Sequence, residues 1–78
     1  MQTPARPRPR SRLTDVVIEE LNKRLDARLY RAGDKLPSEH QLCDEFDVSR
    51  TVIREAVASM RLSGRLVSKP GIGVSVSY

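Results

Sequence analysis

With 78 residues, the chain has room for one small domain with a thin core, and none for a catalytic domain with a buried pocket beside a second module. A single cysteine, Cys43, excludes an internal disulfide and suits a reducing compartment. No apolar run approaches a membrane span, and the N-terminal arginines are not followed by a signal-type apolar stretch, so the expected location is the cytoplasm.

The formal net charge of +4 conceals a polarised distribution. Residues 1–12 carry Arg6, Arg8, Arg10 and Arg12 and no acid. Residues 13–48 carry five bases and nine acids, and residues 49–78 carry five bases against Glu55 alone. An anionic partner is therefore expected at the C-terminal third.

In chain order, residues 1–12 read as a disordered, basic, Pro/Arg-rich tail with almost nothing to bury. A folded domain is expected over residues 13–78. Leu13, Val17, Leu21, Leu25 and Leu29 recur every four residues, which predicts an amphipathic helix over about 13–28. Ala32-Gly33-Asp34 turns the chain, and Pro37 limits Lys35-Leu36 to a short extended piece. Ser38 and Gln41 stand at capping-box spacing and open a second helix ending near Phe46, with Glu39 suited to its N-terminal dipole.

After the Asp47-Val48 turn, Ser49 caps a third helix over about 50–62, with Ile53, Ala56, Val57 and Met60 as its buried stripe. Gly64 ends it. Leu66-Val67, then Pro70-Gly71, then Val74 and Val76 alternating with Ser75 and Ser77, read as strand, tight turn and strand. The expected fold is mostly α with a small β-hairpin: a winged helix-turn-helix of three helices and a two-stranded wing.

A short helix, a tight turn and a longer helix present the start of the longer one to the major groove of double-stranded DNA. Ser49 and Thr51 place hydroxyls beside free backbone N–H groups, where the helix dipole already favours a phosphate. Arg50 and Arg54, four residues apart, share one face and reach base edges or phosphates. Lys69 on the wing reads as a phosphate contact.

The stretch LPSEHQLCDEFDVSRTVIREAVASMRLSGRLVSKPGIGVSV resembles the DNA-binding domain of GntR-family bacterial transcription regulators. The resemblance covers about residues 13–77. Leu36-Pro37-Ser38-Glu39, Val48-Ser49-Arg50 and Arg54-Glu55-Ala56 stand in family order and spacing, and SRTVIREAV is similar to the FadR-like branch, whose members regulate metabolic genes. It implies DNA contacts by Ser49, Arg50, Thr51 and Arg54, with the helix over about 50–62 in the major groove. It also implies a wing over about 69–73, with Gly71 at the minor groove.

His40 stands where many members carry an arginine that touches DNA, and Asp47 where a glycine is common in the turn. The resemblance also implies a C-terminal domain that binds a metabolite and dimerises on a near-palindromic operator. That domain lies outside these 78 residues, so an excised module is expected over a chain that works alone, with a homodimer only when that domain is present.

Cys43 lacks the His/Cys company of a metal site, and Met60 reads as core. Glu55 is expected to orient Arg50 or Arg54 or to sit in solvent. With no Gly-rich phosphate loop and no nucleophile–base pair, neither an enzyme nor a bound cofactor or metal is expected. The competing reading is a winged-helix protein-interaction module without sequence-specific DNA binding.

Overall fold

The computed structural model describes residues 12–77. Three helices are followed by a hairpin: α1 (Arg12–Asp26), α2 (Glu39–Phe46), α3 (Arg50–Leu62), β1 (Leu66–Lys69) and β2 (Gly73–Val76). This is the expected winged helix-turn-helix. The tail expectation falls on residues outside the described ones, except that Arg12 already belongs to α1.

Each helix stops where local chemistry lets it. After α1, Leu29 N–H donates to the Arg24 carbonyl (3.0 Å) and Arg28 N–H to that of Leu25 (3.0 Å), with Arg28 left-handed at φ 58°. This is a Schellman closure. The same pair of bonds closes α3, from Arg65 to Met60 and from Gly64 to Arg61, with Gly64 at φ +88°. Asp47 at the end of α2 adopts φ 56°, ψ 49°, so aspartate fills the left-handed turn position that glycine commonly takes. The predicted capping box is present: Gln41 N–H donates to Ser38 Oγ (3.1 Å), and Ser38 N–H to Gln41 Oε1 (2.9 Å).

The core lies where α1 and α3 cross, closed by α2 and the hairpin. Val17, Leu21, Leu25, Leu42, Ile53 and Met60 are buried in it. The fourfold spacing of leucines does not survive at its ends. Leu13 is exposed, and Leu29 lies beyond the helix and is exposed as well. A repeat of four in a helix of 3.6 residues per turn drifts about 40° per step, so a five-member series cannot keep one face. Thr14 takes the buried position at the start of α1 instead.

β1 and β2 pair antiparallel, from Leu66 opposite Val76 to Lys69 opposite Gly73. The short Lys35 segment also joins the sheet, bridging Ser75. Gly33 N–H donates to the Val76 carbonyl, Val76 N–H to that of Asp34 and Leu36 N–H to that of Val74, each at 2.8 Å. β2 is thus bonded along both edges. The expected in–out alternation of Val and Ser fails there: Ser75 is fully buried beside Val76, because a small side chain on the middle strand is enclosed by its neighbours.

Candidate nucleic-acid interface

The N-terminal end of α3 is built by its cap. Ser49 is extended (φ −75°, ψ 161°), and its Oγ accepts from Val52 N–H (3.3 Å). Because capping uses the hydroxyl as acceptor, its proton remains free to donate to a phosphate. Thr51 is exposed one residue further on. On the opposite face Ile53, Ala56 and Met60 are almost fully buried, so the apolar stripe fixes how the polar tip is aimed.

Arg50 and Arg54 project from that tip with 62% of each side chain exposed. Both lean on one carboxylate. Glu39 Oε1 lies 3.3 Å from Arg54 Nε and 3.9 Å from Arg50 Nε. Glu39 is in the first turn of α2, so the tight turn between the two helices brings an acid into the guanidinium pair. This corrects the expectation for Glu55. Glu55 Oε1 instead accepts from Thr14 Oγ1 (2.9 Å), tying α3 to α1.

His40 follows Glu39 on α2, exposed, with Nε2 3.5 Å from Asp44 Oδ2. Its side chain points into an intrahelical contact one turn on. Lys69 ends β1 and is exposed. Ile72 N–H donates to the Lys69 carbonyl (3.0 Å) across Pro70-Gly71, with Gly71 at φ +76°. Proline then glycine of positive φ is the type II turn pattern. A Cβ on Gly71 would meet nothing within 4 Å, so within the chain the glycine is required by its backbone angle and not by crowding. The structure thus brings Ser49, Arg50, Thr51 and Arg54 together, leaves His40 on α2 facing Asp44, and puts Lys69 and Gly71 on a separate projection.

Between β2 and α3, next to the start of α2, runs an open cleft of about 390 Å³ lined by Glu39, Arg54, Val57, Ala58, Arg61 and Val74. Sequence reasoning missed two of its residues. Glu39 was legible only as a dipole partner, since its pairing spans 15 positions. Arg61 had a signal: it follows Arg54 by seven residues, close to two helical turns, and so shares its face. Among the described residues no group of His, Cys, Asp and Glu is arranged to hold a metal. No helix among them is long and apolar enough to cross a membrane.

A model of the gntR family of bacterial regulatory proteins matches residues 13–76. The chain belongs to the gntR family. The Exu regulon transcriptional regulator of Escherichia coli (strain K12) is 38% identical over 65 residues, covering 83% of this chain and 25% of that protein. The transcriptional repressor NanR of Enterobacter sp. (strain 638) is 36% identical over 72 residues, covering 92% and 28%. The chain therefore spans about a quarter of the length of these relatives.

The DNA-binding domain of AraR in complex with operator ORR3 superposes with a TM-score of 0.81 at 28% identity, covering 99% of this chain and 93% of that one. A second AraR complex, with operator ORE1, gives the same TM-score. The chain thus belongs to a family of bacterial regulatory proteins and shares the winged helix-turn-helix fold of these operator-bound AraR domains.

Proposed function

We propose that α3 reads the major groove of double-stranded DNA through Arg50 and Arg54, that Ser49 and Thr51 donate to phosphates at its N-terminus, and that Lys69 and Gly71 meet the backbone and the minor groove. His40 adds a contact from α2. The observation that carries this reading is the pair of exposed guanidiniums at the capped start of α3, held on a helix whose other face is buried. A rigid element with its donors at one end satisfies the geometric requirement for base reading.

The whole protein, on this reading, is a cytoplasmic, metabolite-responsive regulator of the FadR-like branch, dimeric through a further domain on a near-palindromic operator. The SRTVIREAV wording supports the branch. The module binds without catalysis and without a metal or cofactor of its own.

In vitro selection supplies the preferred site, and fluorescence anisotropy compares it with random DNA. Arg54→Ala is expected to cost about 1–3 kcal/mol on the preferred site and much less on random DNA. Equal losses on both, with a shallower salt dependence, would reduce Arg54 to a phosphate contact. Base reading would then rest on Arg50, Thr51 or His40.

A further inference from the structure

We propose that Arg61 is an additional DNA contact, gripping the phosphate backbone between the two grooves, and that Ser68 on the wing holds it in position. The proposal rests on the reading of α3 and the wing as groove readers.

Arg61 lies in the last turn of α3, where a cation suits the helix dipole. That role alone would leave its guanidinium beside the carbonyls of its own helix. Instead Arg61 Nη1 donates to Ser68 Oγ at 2.6 Å, on β1. The side chain therefore leans across the gap from helix to wing. Arg61 is about 10 Å further along α3 than Arg54 on the same face. Between them Ala58 presents only a methyl, so the cleft they share with Val74 stays open.

A duplex engaged by the start of α3 in one groove and by the wing in the next must pass the intervening sugar-phosphate strand over that cleft. The cleft then offers the strand Arg54 at one end and Arg61 at the other. Ser68 takes one of five guanidinium donors, leaving four. Among the described residues no carboxylate is paired with Arg61, whereas Arg50 and Arg54 share Glu39 and Arg65 Nη2 lies 2.7 Å from Asp26 Oδ1. Its charge is thus available to an external anion. Anchoring by Ser68 lowers the entropy lost when a long side chain is fixed on a phosphate.

The test is anisotropy over a salt series on selected and random DNA. Arg61→Ala is expected to weaken both about 3- to 10-fold and to reduce the slope of log K against log salt by about 0.9, the signature of one lost phosphate. Ser68→Ala should weaken both by less, and should cost nothing further in an Arg61→Ala background, because its effect runs through Arg61. Arg61→Gln keeps an N–H donor for Ser68 and loses the charge, so it separates charge from wing anchoring.

Arg61→Gln binding both DNAs with wild-type affinity and slope would overturn the proposal. So would an additive Ser68 effect, for the anchoring half. Failure of the wild-type domain to prefer selected over random DNA is a different result, and counts against the reading of α3.

Discussion

Arg24 and Arg54 are the same residue type in opposite settings. On α1, Arg24 leaves only 18% of its side chain exposed. Its guanidinium lies 5.1 Å from the centre of the Phe46 ring and is paired with Glu45 and Glu20. The Glu45 hydrogen bond outweighs the opposing effect of burial, so the Arg24 pKa is driven further above its ordinary value. On α3, Arg54 is 62% exposed with part of one carboxylate.

What separates them is the supply of acid. The first two helices and their loops carry nine acidic residues, the last thirty positions one. A cation surrounded by acids and an aromatic ring becomes part of the fold, while a cation deprived of them becomes available to a partner. Side-chain identity alone does not decide which.

The sharpest way to break the comparison is to remove what both regions rest on. Ile53 is fully buried behind the α3 tip. Ile53→Ala should cost about 2–5 kcal/mol, lowering the thermal midpoint by tens of degrees or unfolding so small a domain outright. If α3 keeps its stability by circular dichroism, the apolar stripe is not what aims the tip.

Arg24→Ala should be the structural half of the contrast. Loss of the ring contact and two ion pairs is expected to cost about 1–2 kcal/mol of stability in urea melts. The preference for selected over random DNA should stay unchanged. A loss of preference at full stability would show that Arg24 acts beyond the fold.

The smallest expected effect comes from making Arg54 freer still. Glu39→Gln removes the carboxylate facing both guanidiniums and keeps the side chain's size. Affinity for random DNA should rise roughly 2- to 5-fold, and the ratio of selected to random binding should narrow. If that ratio widens, Glu39 competes with the cognate site instead of restraining the arginines.

The sequence made local features legible and tertiary ones illegible. Ser38, Gln41, Ser49 and Gly64 act within a few residues of themselves, and the structure places all four as caps or stops where the spacing predicted. The capped polar start of α3 was readable for the same reason. Arg65 binding Asn22 Oδ1 and Asp26 Oδ1, Thr14 binding Glu55, and Lys35 joining β2 each join positions about 40 residues apart, so no window along the chain reveals them. Glu55 was misassigned because it is next to Arg54 in sequence, yet consecutive helical residues point about 100° apart.

The middle position of β2 has a consequence for motion. Bonded to Lys35's segment on one edge and to β1 on the other, β2 has no free edge at the root of the wing. Its Val76 amide should exchange with solvent deuterium only as slowly as the whole domain unfolds. Pro70, Gly71 and Ile72 at the far end are exposed, and the Gly71 amide should exchange quickly. A steep gradient in protection across a few residues would mark the hairpin as a stiff stem carrying a compliant tip, able to adjust to groove width while its base stays in register with the recognition helix.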